Sequence, residues 1–466
     1  MPDLTGLRKQ ISRGNIFLPG DEGYESCLKR WSVACEKNAA LVIQPKDADE
    51  VACAVKYAVS HSIPLTACCG GHSSSGTSST EGMLIDLRLM RQIDVDQTNM
   101  TISFGGGCIW QDIDSTLDPM KLATVGGVVN HTGTSGLILG GGHGYLTAKH
   151  GLTIDCIQSA EVVLADGSIV QASSSSNPDL FWALRGAGAQ FGIVTRFVSR
   201  VFPQDEVWSG TLAYTLDKLP ALVEIANEFH DRQNRDGHCL AIGIGFTPDG
   251  ATRGLSAIPL YHGSLEDGRA YFSKLLEIGP VVDNTMTMTM GSVNTLLNPI
   301  FDHGSRRLMG SGNAMMPLKA DDLQRIADEF WEFCEKHQIG AKSVIALELF
   351  STHMIEKVAQ TATAYANRGN YYDAVTAFGW TDPSLDGTLR EFNRHICKQI
   401  RQTIGYTFGG DGAVGRYINI EADRVSPQDA YGVNLGRLRE LKARYDPGNV
   451  FNKWHGIHPA DSGKSE

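Results

Sequence analysis

Eleven of the chain's 51 glycines fall between residues 101 and 150, and that crowding constrains the fold more than any other feature. Glycine reaches positive φ at no steric penalty and lets backbone approach a ligand or another strand closely. A segment this rich in it is built of turns and tight crossings rather than long helix. Over the whole chain glycine is about 11% against a usual ~7%, with no Gly-X-Y period, so collagen-like folding is excluded and ligand-facing loops become the first expectation.

The 466 residues suffice for two or three domains with real cores. Acidic residues outnumber basic ones 52 to 41, a formal charge of −11 that repels nucleic-acid phosphates and anionic lipid alike. Neither partner is expected. Ten cysteines, at 27, 35, 53, 68, 69, 108, 156, 239, 334 and 397, include no CxxC pair and no zinc spacing. They read as small buried hydrophobes. The opening MPDLTGLRKQISRGNIFLPG lacks an apolar signal core and no run of 18 apolar residues occurs. A reducing, cytoplasmic setting is the expectation, with the sequons at Asn99 and Asn130 as chance matches.

The pattern from 39 to 76 reads strand, helix, strand, loop. AALVI is the strand, Asp47 and Glu50 make a capping-box pattern, and Val51, Ala54, Val55 and Ala58 share one helical face. Short apolar strands follow to residue 200, including MLIDLRLM, MTISFGGG and a hairpin EVVLADGSIV turning at Asp166–Gly167. Beyond Pro203 longer amphipathic helices such as Asp321–His337 and strands such as KSVIALELF take over. The texture is α+β. We divide it into residues 1–205, a second domain at 206–410, and a tail at 411–466 that packs back on a larger unit. In the tail RYINI reads as a strand, and a helical run from Pro427 to Arg444 is stopped by Asp446–Pro447–Gly448.

Two glycine motifs carry chemistry. CCGGHSSSG, residues 68–76, can turn several backbone N–H groups toward a pyrophosphate; His72 within it is either ligand-facing or a turn histidine bonded to backbone. LILGGGHG, residues 137–144, fails the G-x-G-x-x-G test because Tyr145 stands where the third glycine is needed. A generic cofactor loop remains, and His143 inside it reads equally as a ligand contact or a loop histidine. Gly188 and Gly192 in GAGAQFGIVT read as bulge or turn positions.

The order Pro45 strand-helix, GGHSSSG, IDLRLM, GGGCIW, LATVGGVVNHTG, LGGGHGYLTAKHGLTID, DLFWALRGAGAQFGIVT and YGVNLGRLRELKARYDPGNVF resembles the berberine-bridge-enzyme-like branch of the vanillyl-alcohol-oxidase superfamily. It covers about 35–205 and 410–457, and the middle more loosely. The resemblance implies a two-part PCMH-type FAD-binding domain, core about 35–205, with an inserted substrate domain of antiparallel sheet backed by helices. It implies FAD attached covalently through His72, a pyrophosphate loop of Cys68, Cys69, Gly70, Gly71, His72 and Ser73, and flavin contacts from Gly133, Ser135, Gly140, Gly141, His143, Gly144, Gly192, Ile193 and Asn452. Val129 stands where members with a second covalent link carry cysteine, so the histidyl, monocovalent subgroup is implied.

The expected activity is that of an oxidase of small-molecule secondary metabolism, with O2 as acceptor, a small-molecule substrate, and a monomer or homodimer as the unit. A sugar oxidase and a flavin-dependent cyclase without net redox change are the rivals. Glu348 alternates in VIALELF onto a face with Ala346 and Phe350 and reads either as a partly desolvated general base or as an exposed strand residue whose other face packs on the core. Tyr417 matches the family's tyrosine near the flavin and is expected to orient substrate, with Asn419 and Tyr372 as further pocket residues.

Overall fold

The computed structural model describes residues 4–232, 236–405, 416–453 and 455–460. Its longer strands fall into three sheets. The first holds β1 (Asn15–Phe17), β2 (Leu41–Gln44), β3 (Leu65–Cys68) and β4 (Met83–Asp86) in the order β1-β2-β4-β3, with β2, β4 and β3 parallel. Parallel strands need a crossover. α1 (Ala48–Ser60) supplies it and buries Val51, Ala54, Val55 and Ala58 as the apolar spacing requires. Asp47 accepts the Glu50 backbone N–H at 3.0 Å, but the reciprocal half of the expected capping box is missing. The Glu50 carboxylate instead takes the backbone N–H groups of Arg13, Gly14 and Lys46 at 2.7, 3.1 and 2.9 Å, tying the N-terminal strand to the helix start.

The second sheet is antiparallel: β5 (Ile93–Asp96), β6 (Thr101–Gly105), β7 (Ile157–Val163), β8 (Ile169–Ser173) and β9 (Ile193–Arg200), ordered β5-β6-β9-β7-β8. The β7–β8 hairpin turns at Asp166–Gly167 as read, with Gly167 at φ +75. Between β6 and β7 lies the glycine-rich stretch. Its apolar LIL, before the glycines, is the end of α2 (Thr134–Leu139), not a strand, a second reason why the dinucleotide fingerprint fails.

The third sheet has nine strands, the long ones being β10 (Cys239–Phe246), β11 (Arg253–Tyr261), β12 (Arg306–Ala314), β13 (Val344–Phe350) and β14 (Tyr372–Trp380). They run antiparallel in the order β11-β10-β13-β14-β12. One face is covered by α3 (Leu219–Asp231), α4 (Ala320–His337) and α5 (Asp386–Thr403), whose Leu222, Phe330 and Ile396 pack with Ile345, Leu347 and Leu349 of β13 in the largest core. The other face, bearing Ala346, Glu348 and Phe350, lines the main cavity. The strand expected at RYINI is a turn, closed by Ile420 N–H to the Tyr417 carbonyl at 3.2 Å. The Asn419 side-chain amide ties this turn down, donating to the Leu137 carbonyl and the Tyr417 hydroxyl. Among the described residues no helix is long and apolar enough to cross a membrane.

Candidate active site

A cavity of about 310 Å³ runs from the loop after β3 to the exposed face of the third sheet. At one end Cys69, Gly70, Gly71, His72 and Ser73 form its wall, with Val129, Gly133, Ser135, Gly192, Ile193 and Asn452 opposite or beside them. Gly70 and Gly133 cross back to back, and a Cβ on either would fall within the other's backbone. No other residue type permits that crossing, which is why both stand in the wall. The remaining expected contacts lie elsewhere. Cys68 points into a core with Tyr24 and Leu28, because alternation along β3 turns it away. Gly140, Gly141 and Gly144 are outside the cavity wall: Gly141, at φ +118, sits beneath the Tyr365 ring, and Gly144 lies against the Gly126 carbonyl. Gly141 and Gly144 thus meet protein atoms of the loop's surroundings.

His72 stacks on Trp31, ring centres 4.3 Å apart and 11° from parallel. Trp31 is fixed in turn, its indole N–H donating to the Phe301 carbonyl at 2.7 Å and its backbone N–H to Gly71 at 3.1 Å. His131 and His303 lie 5.0 and 6.4 Å from His72, ring centre to ring centre. Burial, reinforced by these two imidazoles, holds His72 well below its ordinary pKa, so it stays neutral. Its Nε2 is buried and has no hydrogen-bond partner among the described residues. A buried orphan nitrogen demands explanation. A neutral imidazole with an unused lone pair, facing a glycine cradle, is the donor chemistry that an isoalloxazine edge would meet; the residues fit FAD. His131 and His303 escaped the sequence reading, since a histidine in VVNHTG and another in the turn FDHG carry no spacing signal.

At the far end β13 presents Glu348, the only carboxylate among the described residues of the wall. Directly opposite in register on β14 is Asp373. His143, from the GGGHG loop, places Nδ1 3.5 Å from Glu348 Oε2 and 3.7 Å from Asp373 Oδ2. Burial alone would lower the His143 pKa, but its bond to Glu348 and the charge of Asp373 outweigh this and raise it. Burial, with Glu348 beside it, pushes Asp373 up to about 6. Period-two alternation found Glu348 and, applied to YYDAVTAFGW, would have put Asp373 on the same face as cavity-lining Val375.

Tyr417 is buried at the cavity wall and its pKa is raised, chiefly by burial, so the phenol keeps its proton. Its oxygen accepts from Asn419 Nδ2 at 2.8 Å and faces the His143 backbone N–H. With both acceptor positions used, the hydroxyl proton is left to donate. Tyr372 does not reach the main cavity: strand alternation turns it from Asp373's face, and its hydroxyl pairs with His230 Nδ1 at 2.9 Å.

The FAD binding domain family matches residues 39–173, and the family described as berberine and berberine like matches 416–458. The FAD-linked oxidoreductase pgmH of Aspergillus terreus is 34% identical over 475 residues, covering 98% of this chain and 96% of that protein. Among solved structures, 6-hydroxy-D-nicotine oxidase from Arthrobacter nicotinovorans superimposes with a TM-score of 0.83 at 24% identity, over 96% of this chain and 98% of that one. A berberine bridge enzyme variant with (S)-reticuline gives 0.82 at 19% identity, over 99% of each chain. Likeness at this level over nearly the full length of both chains, on an α+β fold whose cradle fits a flavin, makes the chain an FAD-linked oxidoreductase of the berberine-bridge-enzyme-like family.

Proposed function

We propose that this oxidoreductase is an oxidase of small-molecule secondary metabolism, holding FAD covalently through His72 alone and acting on an apolar substrate at a C–H bond beside a hydroxyl or amine. The observation that carries the substrate class is the wall opposite the cradle. Ala241, Ile258, Leu297, Ile300, Met309 and Val344 leave it apolar, with Glu348, Tyr417 and Asn419 gathered at one point. Pockets that bury apolar ligands have this form, a hydrophobic lining with few convergent polar groups. A sugar would need hydroxyl partners spread along the groove.

Bound in the cradle, FAD supplies a hydride acceptor that is regenerated by O2 with release of H2O2. Glu348 takes the substrate's O–H or N–H proton as hydride leaves, which is general-base work. Tyr417, kept protonated, donates to the substrate heteroatom and fixes its direction. Val129 in place of cysteine supports a single covalent link, and the neutral, orphaned Nε2 of His72 supports which one.

The test has two readings. Acid-precipitated protein should stay yellow and become colourless with His72→Ala; release of all flavin from the parent, or a flavinylated cysteine by mass spectrometry, refutes the attachment. Anaerobic flavin bleaching should occur with aromatic or terpenoid alcohols or amines and reverse in air. Bleaching by oligosaccharides alone would refute the substrate class.

A further inference from the structure

The carboxylate we assign as base has a second exit. Glu348 and His143 line the main cavity and also a separate, small one behind it, of about 20 Å³, whose wall includes Asp373, Thr352, Asn367 and Tyr371. That is room for one water, with polar partners to hold it. Its outer wall, at Gly369 and Tyr371, is partly exposed. Glu348 and Asp373 both approach the same nitrogen of His143, from adjacent strands in direct register. A substrate-facing carboxylate, an imidazole, a second carboxylate and a water-sized space thus lie in sequence, leading away from the flavin cradle.

We propose that His143, Asp373 and the space behind them form the route by which Glu348 discharges the proton it takes from substrate, with Asp373 as a positioning residue that receives it. The proposal rests on Glu348 being the base. The net result is one proton passed to water, with no electrons moved: the His143 imidazolium gives its Nδ1 proton to the Asp373 carboxylate, the neutral imidazole left behind takes the Glu348 proton at the same nitrogen, and Asp373 releases its own to water. Separations of 3.5 and 3.7 Å are long for transfer, but catalytic hydrogen bonds tighten when substrate binds. The other titratable groups facing the trio are Tyr145, Tyr365, Tyr417, the Cys239 thiol and, in the wall of the small cavity, Tyr371 and Tyr372. Burial raises Tyr145, Tyr365, Tyr417, Tyr372 and Cys239, so these five stay neutral between pH 5 and 8 and do not compete. Below about pH 6 Asp373 already holds a proton and the route is blocked.

The first measurement needs no substrate. Infrared difference spectra of the flavin-loaded protein should contain a protonated-carboxyl band that vanishes as pH rises through about 6, is absent in Asp373→Asn, and shifts its midpoint in Glu348→Gln, since coupled sites titrate together. A midpoint indifferent to Glu348→Gln overturns the route. The second follows anaerobic bleaching by cinnamyl and 4-hydroxybenzyl alcohols; if neither bleaches the flavin, the infrared result decides. Asp373→Asn should slow bleaching roughly 10–10²-fold, below the ~10²–10⁴ of the base itself, leave alcohol affinity within about twofold, and lose the acid limb near pH 6. Asp373→Glu should restore the limb, which separates the route from a folding defect. Parental rate in Asp373→Asn with a slow Glu348→Gln overturns the route alone. Parental rate in Glu348→Gln overturns the base, and the route with it.

Discussion

Replacing Lys442 with methionine should destabilise this protein more than any surface change of equal size. Lys442 lies in α6 (Leu435–Tyr445), and its ammonium is fully buried, as is its partner Asp446. Nζ donates to Asp446 Oδ2, the Gln190 carbonyl and the Phe451 carbonyl, each at 2.6 Å. Asp446 in turn accepts the backbone N–H groups of Val450 and Phe451 at 2.8 and 2.9 Å. Methionine matches the stem but removes the donor that the Gln190 and Phe451 carbonyls share and leaves a carboxylate without its counter-charge. Breaking a buried pair this way costs ~3–5 kcal/mol. Because Phe451 and Asn452 line the cavity and Gln190 precedes the cavity residues Gly192 and Ile193, the damage should reach the flavin cradle. Urea melts of flavin-loaded protein give the size, and flavin content per chain gives the reach. Lys442→Met with Asp446→Asn should recover part of the loss, since the unpaired charge is removed while an amide oxygen can still accept the Val450 and Phe451 N–H groups. A single-variant loss under about 1 kcal/mol, or a double variant worse than the single, would refute the reasoning.

Tyr417→Phe should leave covalent flavin intact and slow bleaching by a reacting alcohol about tenfold, the effect of one lost neutral hydrogen bond of ~1.4 kcal/mol. Parental kinetics would remove Tyr417 from substrate orientation. Asp114 accepts from Asn294 Nδ2 at 3.0 Å and is pushed up to about 7, first by burial. Its folded pKa lies above the unfolded 3.8, so its relative contribution is full below about pH 4 and is lost as pH rises through about 7. Asp114→Asn should therefore raise the urea midpoint at pH 8 more than at pH 5; an equal change at both would refute this.

How far the sequence revealed the site depended on where each residue's neighbours come from. Glu348 was legible because one strand decides which face it occupies, and period-two alternation in VIALELF states it outright. Its partners were not. His143 is 205 positions away in sequence and Asp373 twenty-five, and only the pairing of β13 with β14 and the return of the glycine loop bring them together. The glycines show the converse. Eleven of them in fifty residues announce close approach, but not what is approached: Gly133 meets Gly70 and the cavity, whereas Gly141 meets Tyr365 and Gly144 meets Gly126. RYINI failed because β propensity describes a surface to pack on, and this segment closes a turn through Ile420 N–H to the Tyr417 carbonyl instead.

The arrangement separates two kinds of transfer. On the proposed function, electrons leave the substrate toward the cradle, whose histidine end has no carboxylate among the described residues of its wall and holds three imidazoles whose charged form burial disfavours. On the same proposal protons leave on the opposite side, where two carboxylates and a histidine of raised pKa meet. The chain builds the first end from short loops after parallel and antiparallel strands of its N-terminal part, and the second from the centre of the nine-stranded sheet. Tyr417 and Asn419, from the C-terminal part, stand at the junction. Between the two ends lies the apolar wall, drawn from the middle of the sequence, on which the proposed substrate class rests.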